Sequence, residues 1–404
     1  MDELGAVVVP GFRFASVAAG VKKSGTERHD VALLDAGALV PAAAVFTRNR
    51  VRAAPVRVSE ARVRAGRLRG VIVNSGNANA CTGAAGLRDA EAMTRFAATA
   101  AGGSAREWAV ASTGVIGVPL PMDRVADGIE RAGADLNAGG FAGFAHAILT
   151  TDSGVKAATR TLTLGRRRVI LAGCTKGAGM IAPNMATTLT FLATDAACAP
   201  AWLRRTLAAA VDGTYNRVTV DGDTSTNDSV FLFAGGAAAN SAITSDAGAG
   251  AKLRTALFEL LHELALMLVK DGEGARHLVR IRVTGAKSEA DARRVARRIA
   301  ESPLCKTAFY GRDPNWGRIL CAAGNAGVPL VPERLALHLD DVLLVERGLG
   351  LAAREPGLEA RAHAVMSLPA YTVRLHLGVG RAEASLHTCD LGHDYVKLNA
   401  DYRS

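Results

Sequence analysis

The sequence predicts an α+β protein, a layered mixed α/β main domain followed by a second, smaller α/β domain. Three observations predict it. Apolar runs of β-type residues alternate with amphipathic helical stretches from the start of the chain. Hairpin and turn signals are too dense for a doubly wound parallel sheet. The 404 residues, at roughly 150 per domain, are enough for two to three domains and a large core. Apolar residues make up 49% of the chain and charged ones 21%, a balance that excludes a disordered chain, a coiled coil and a disulfide-stapled miniprotein.

The elements follow in order. Val31–Leu34, Ala44–Thr47 and Val71–Val73 are short runs of strand type, and Asp89–Ala101 has helical spacing. Trp108–Ser112 predicts a further strand. Arg160–Leu164 and Arg168–Ala172 predict a hairpin through Gly165–Arg167, and Leu189–Thr194 and Val230–Ala234 two more strands. Leu253, Leu257, Leu260, Leu264 and Leu268 keep helical spacing until Lys270-Asp271-Gly272 stops the run. A composition shift near His277 divides a main domain, residues 1–276, from a smaller one, residues 277–386. The tail, 387–404, is polar and irregular over Asp390–Ser404, a pattern that ordinarily marks a frayed end.

The formal charge of +10 comes from 39 arginines and nine lysines scattered along the chain. A nucleic-acid face needs clustered cations and stacking aromatics, and aromatics are 5% of this chain. In the richest stretch, Ser288–Glu301, the apolar Ala292, Val295, Ala296 and Ile299 fall at helical spacing, so Arg293, Arg294, Arg297 and Arg298 form a solvated face. No nucleic-acid partner is expected. The six cysteines are widely spaced without a CxxC pair, and His387 and His393 near Cys389 are weak evidence for zinc, so no metal and no bound cofactor are expected. The acidic start Met-Asp-Glu-Leu is unlike a secretory signal, and no apolar run reaches the roughly 18 residues of a membrane span. A cytoplasmic location without membrane contact follows.

The chemistry concentrates between Thr175 and Leu189. Gly177 and Gly179 supply a flexible loop and Pro183 a rigid turn, and together they deliver the chain to an Ala186-Thr187 bond just before a strand. This is the layout of a self-cleaving N-terminal nucleophile. The Thr187 hydroxyl would attack the Ala186 carbonyl, and hydrolysis of the resulting ester would free the α-amine of Thr187. That amine, with an ordinary pKa of about 7.7–8.0, can take the proton from the same residue's hydroxyl. Thr187 would then serve as nucleophile and base together. Taken alone, a glycine loop before a strand beginning with threonine is common and usually structural, and Lys176 precedes the glycines, which argues against a phosphate loop.

Lys176-Gly177-Ala178-Gly179-Met180-Ile181-Ala182-Pro183-Asn184-Met185-Ala186-Thr187 closely resembles the signature of the glutamate N-acetyltransferase, or ornithine acetyltransferase, family of arginine biosynthesis. Val73–Ala80, Ser112–Gly117, Thr150-Thr151-Asp152, Asp221–Asp228, Asp271–Ala275, Asp313–Arg318 and the ending Asn399–Ser404 resemble the family as well, in family order. The resemblance implies a main domain of the ornithine acetyltransferase/threonine aminopeptidase type. It implies cleavage between Ala186 and Thr187 into chains of 186 and 218 residues that stay associated, as a heterotetramer of two alpha and two beta chains. It also implies a ping-pong transfer in which N-acetylornithine acetylates Thr187, ornithine leaves and glutamate accepts the acetyl group. Bifunctional members also draw on acetyl-CoA as a co-substrate; monofunctional ones do not.

By the same resemblance Thr113 and Gly114 form the oxyanion hole, and Thr150, Lys176, Thr187, Glu273, Asn399 and Ser404 bind substrate. The carry-over to Asn399 and Ser404 makes the apparent frayed tail part of the pocket. Asn77, Asn79, Asp221, Asp223 and Asn227 suit structural hydrogen bonding at least as well as catalysis. Two departures stand out: Thr188 replaces a usual apolar residue and, by strand alternation, should face away from the pocket, and Ser404 replaces a common threonine. The competing readings are a threonine-nucleophile amidase or aminopeptidase, in which water takes the acyl group, a secondary-metabolism acyltransferase, and a basic binding protein without catalysis.

Overall fold

The computed structural model describes residues 7–22, 27–182 and 188–401. Ala186, Thr187 and Ser404 therefore lie outside the described residues. Two compact units divide the chain, the first comprising Met1–Asn216, Asp223–Leu268 and Arg403–Ser404, the second Arg217–Gly222 and Val269–Tyr402.

The first unit is built on one mixed sheet. Its strands are β1 (Arg13–Val17), β2 (Val31–Phe46), β3 (Arg67–Asn77), β4 (Trp108–Val115), β5 (Lys156–Leu164), β6 (Arg167–Lys176), β7 (Leu189–Thr194) and β8 (Ser229–Ala234). Its helices are α1 (Ala54–Val63), α2 (Gly83–Ala101), α3 (Met122–Ala134), α4 (Phe141–Ala147), α5 (Pro200–Gly213) and α6 (Ala249–Lys270), the last ending two residues beyond the unit. The strand order is β4-β3-β2-β8-β7-β6-β5, with β1 paired to β2. The β3–β4 and β7–β8 pairs are parallel and the rest antiparallel. This α+β arrangement, rather than a doubly wound sheet, is what the hairpin density implied.

Both faces of this sheet are covered, and period-two alternation sorts the side chains between them. Leu33, Ile72 and Val110 join Met93 and Ala97 of α2 and Val125 and Ile129 of α3 in one core. Leu34, Val71, Val73 and Ala109 face the other way, into a core with Phe144 of α4, Phe191 of β7 and Phe231 of β8. Phe191 and Phe231 stack at 5.7 Å between centroids, so the parallel β7–β8 pair is locked by aromatic packing as well as by its ladder.

Two predicted strands, Val31–Leu34 and Ala44–Thr47, fall on the single 16-residue β2, which ends at Phe46, one residue before the second run ends. The register to β3 shifts between Asp35 and Val40, and the strand continues through this irregularity. Asp35, which is fully buried, accepts bonds from Arg69 Nε at 3.0 Å, Arg13 Nη2 at 2.5 Å and the Gly37 N–H at 2.9 Å. These partners make its burial tolerable.

The second unit holds a six-stranded sheet of β9 (Leu278–Ala286), β10 (Ala336–Leu339), β11 (Val342–Glu346), β12 (Leu349–Gly350), β13 (Ala370–His376) and β14 (Ala382–Cys389), ordered β12-β11-β10-β13-β9-β14. Its helices are α7 (Glu289–Ala300), α8 (Pro303–Gly311), α9 (Trp316–Gly324), α10 (Leu358–Met366) and α11 (His393–Asp401). In α7 the residues Ala292, Val295, Ala296 and Ile299 are buried, while Arg293 pairs with Glu289 and Arg297 with Glu301 on the exposed side. The arginine-rich stretch is thus a solvated helix face. Within the tail read from composition as frayed, His393–Asp401 form the helix α11.

Candidate active site

Three pairs of the expected site residues can be placed. Thr113 and Gly114 close β4, whose neighbour β3 runs parallel and sets Gly76 opposite Gly114. Gly114 has φ +131°, and a Cβ there would lie 2.3 Å from the Gly76 carbonyl carbon and 2.5 Å from the Asn77 nitrogen. Only glycine permits this approach. Asn227, in the loop before β8, donates its amide to the Ser112 carbonyl at 2.8 Å and to that of Ala78 at 2.6 Å. The turn carrying Thr113 is thereby tied to the strand beside β7. Asn77, Asn79 and Asn227 are all buried and hydrogen-bonded.

Thr150 follows α4 and Lys176 ends β6. Their side chains meet, Lys176 Nζ donating to Thr150 Oγ1 at 3.3 Å. Asp152 underlies both: its carboxylate accepts from the Thr150 N–H at 3.0 Å, the Gly177 N–H at 2.6 Å and Lys156 Nζ at 2.6 Å. Burial alone would raise the Asp152 pKa, but Lys176, Lys156 and these hydrogen bonds outweigh it and hold it below the usual carboxylate value.

The third pair lies in the second unit, where Asn399 of α11 donates to Glu273 Oε2 at 2.7 Å. Gly274, at φ +72°, lets the turn carrying Glu273 approach the start of α11, where a Cβ would meet the Tyr395 nitrogen at 2.7 Å.

Ala186 and Thr187 themselves are not among the described residues, but the chain on either side of them is fixed. Upstream, Ile181 bridges to Thr224, whose hydroxyl donates to the Ala182 carbonyl at 2.8 Å. Downstream, the Ser229 N–H donates to the Thr188 carbonyl at 2.9 Å. The Thr188 hydroxyl donates to the Lys176 carbonyl and meets Thr175 Oγ1 at 2.8 Å, in a buried network that continues through Thr190 to Tyr215. The extra hydroxyl beside the nucleophile position is therefore committed to structure.

Two charged residues escaped the sequence reading. Lys22 packs against Gly76, where a Cβ would meet its Cγ at 2.8 Å, and donates to the His29 carbonyl at 2.9 Å. Burial, helped by Arg28 and Lys176 against the pull of Asp30 and Asp152, brings its pKa down to about 8. Lys22 thus joins the Gly76–Gly114 contact to the Asp152–Lys176 field. Asp228, directly before β8, is 2% exposed, and one of its oxygens, Oδ2, has no hydrogen-bond partner among the described residues. Burial drives its pKa well above the carboxylate range, with Lys176 and Ser225 pulling the other way.

A stability prediction follows from Asp228. Its raised pKa means the folded protein keeps a proton that the unfolded chain releases, so this residue costs stability as pH rises from the ordinary carboxylate range. Asp228→Asn is expected to melt higher than wild type at pH 7–8, with the gain shrinking as pH falls toward 4. Parallel melting curves across that range would refute the assignment of a neutral, buried carboxyl.

The family model described as the ArgJ family matches residues 13–404. The chain is similar to the arginine biosynthesis bifunctional protein ArgJ of Geobacter sulfurreducens, 47% identical with 98% of this chain and 100% of that protein covered. It is 45% identical to the protein of the same description from Symbiobacterium thermophilum, with 99% of each chain covered. Among solved structures, that of the ArgJ bifunctional protein of Bacillus halodurans is 36% identical, covers 52% of this chain and 96% of that one, and has a TM-score of 0.49.

Proposed function

The chain belongs to the ArgJ family and is an acetyltransferase of arginine biosynthesis, and from this premise we propose how its residues divide the work. Thr187 is the nucleophile. It becomes chain-terminal when its hydroxyl attacks the Ala186 carbonyl and the ester is hydrolysed. The new α-amine then accepts the hydroxyl proton as Thr187 attacks the acetyl carbonyl of N-acetylornithine. Thr113 Oγ1 and the Gly114 N–H stabilise the oxyanion, and ornithine departs with the returned proton. Glutamate attacks the acetyl ester in the second half of the cycle and leaves as N-acetylglutamate.

Lys176 and Thr150 hold the carboxylate that both substrates carry, and Glu273, with Asn399 and Ser404, suits the amino groups. The observation that supports this reading best is the Lys176–Thr150 contact at 3.3 Å, on the strand that pairs directly with β7, two residues beyond Thr187. An ammonium paired with a hydroxyl on a shared carboxylate is a carboxylate-binding arrangement.

Association of the two cleaved chains is supported by the strand order. After cleavage β7 and β8 belong to the second fragment, yet they lie between β2 and β6 of the first. We extend this to two copies of each chain, a heterotetramer. The relatives' description as bifunctional supports acetyl-CoA as a second donor, used without any resident cofactor. No helix among the described residues is long and apolar enough to cross a membrane. The six cysteines are free thiols, which supports a reducing, cytoplasmic location.

Mass spectrometry of the mature protein after incubation with N-acetylornithine tests the scheme. One acetyl group should appear on the peptide that begins at Thr187 and should vanish on addition of glutamate, with N-acetylglutamate released in equal amount. Discharge by water as fast as by glutamate would mark an amidase and overturn the transfer reading.

A further inference from the structure

The pair Lys156–Asp152 is a deeply buried ion pair. Its side chains are 4% and 0% exposed, and its N···O distance is 2.6 Å. Buried pairs give little net stability on average, because desolvation offsets most of their attraction. The position of this pair suggests a different use. One oxygen of Asp152 binds the backbone N–H of Thr150, and the other binds the N–H of Gly177, the residue after Lys176. A single carboxylate thus joins the two chain segments, from different elements, that meet at the 3.3 Å contact between Lys176 Nζ and Thr150 Oγ1.

We propose that Asp152 is the positioning residue of the substrate anchor, and that Lys156 is the counter-charge that keeps Lys176 available for a substrate carboxylate. This rests on the reading in which Lys176 and Thr150 bind substrate. The charges make the case. Two lysines and one carboxylate leave a net positive charge in a buried setting, where Coulomb interactions are strong. The charge of Lys176 already acts on Asp152, ahead of that of Lys156, so with Lys156 removed Lys176 alone balances the carboxylate and the anchor loses its surplus positive charge. An incoming carboxylate would then compete with one already in place. Lys22 lies in the same field, with electrostatic coupling to both Asp152 and Lys176.

The ligand class follows from the same charge. Both half-reactions present an α-carboxylate, on N-acetylornithine and then on glutamate, so the pair acts on both. Its loss should raise both KM values together.

Steady-state kinetics on purified mature Lys156→Met, Lys156→Arg, Asp152→Asn and the Lys156→Met/Asp152→Asn double variant, with melting curves for each, test this. Lys156→Met should raise KM for N-acetylornithine and for glutamate by about tenfold, the scale of one uncompensated charge at close range, with a smaller change in kcat. Lys156→Arg should restore both. Asp152→Asn should lower kcat/KM for both substrates. The double variant should have lower KM values than Lys156→Met alone, because the competing carboxylate is gone. Unchanged KM values in Lys156→Met would overturn the proposal. So would a loss of kcat and melting temperature at constant KM, or a double variant no better than the single. A Lys176→Ala protein with wild-type KM values would instead remove the underlying assignment of the anchor.

Discussion

Gly114→Ala is expected to lower kcat for acetyl transfer by at least 10²–10³-fold, about 2.7–4 kcal/mol in barrier, the usual loss of one oxyanion donor. Two independent penalties act on the same residue. The added Cβ would sit 2.3 Å from the carbonyl carbon of Gly76, which is backbone and cannot swing aside, and φ +131° is a conformation that side chains rarely adopt. Strand β4 must therefore shift from β3, carrying the 114 N–H away from the oxyanion. Thr113→Val, which removes only the hydroxyl, should cost a comparable factor in kcat while leaving the strand in place. Stopped assays at saturating N-acetylornithine, with a melting curve to verify folding, measure both. Wild-type kcat in either variant would dismiss the oxyanion assignment.

Thr187→Ala is expected to abolish maturation and transfer together. Without the hydroxyl no ester forms at Ala186, so denaturing electrophoresis should show one chain of 404 residues, where wild type should give fragments of 186 and 218. The residual rate should fall by an order of 10⁶, the scale of deleting a covalent nucleophile in acyl transfer. Thr187→Ser retains a hydroxyl and should still cleave. A cleaved, active Thr187→Ala protein would contradict the scheme, and so would a wild-type protein that stays intact on long incubation.

The parts of this molecule readable from sequence are those in which neighbours along the chain decide the outcome. Leu189–Thr194 is a strand with the very bounds its apolar run suggests, and Arg160–Ala172 is a hairpin because Gly165 at φ +62° permits its tight turn. The α7 helix announces itself through Ala292, Val295, Ala296 and Ile299. Motif resemblance added Thr113, Thr150, Lys176, Glu273 and Asn399, and the structure brings Lys176 to Thr150 and Asn399 to Glu273.

Residues whose roles come from distant partners stayed hidden. Lys22 looks like half of an exposed Lys-Lys pair until Gly76 is placed against it. Asp152 was visible only as the end of Thr-Thr-Asp, because its partner Gly177 lies 25 positions further on. Asp228 was visible only as the end of the Asp221–Asp228 motif, since no local pattern reports its burial. The tail failed for a related reason: α11 leaves Val396 and Leu398 exposed at 63% and 49%, so it lacks the apolar stripe by which a helix is recognised.

With the proposed cut at Ala186–Thr187, the interleaving of β2, β8, β7 and β6 would give the cleaved molecule a one-way history. An intact chain can thread β7 and β8 into their slot while everything is still covalently joined. Once severed, the same two strands could return only by opening hydrogen bonds on both flanks at once, in a bimolecular encounter. Scission after folding thus converts a reversible equilibrium into hysteresis, and the working enzyme persists by the slowness of its escape rather than by its capacity to be rebuilt.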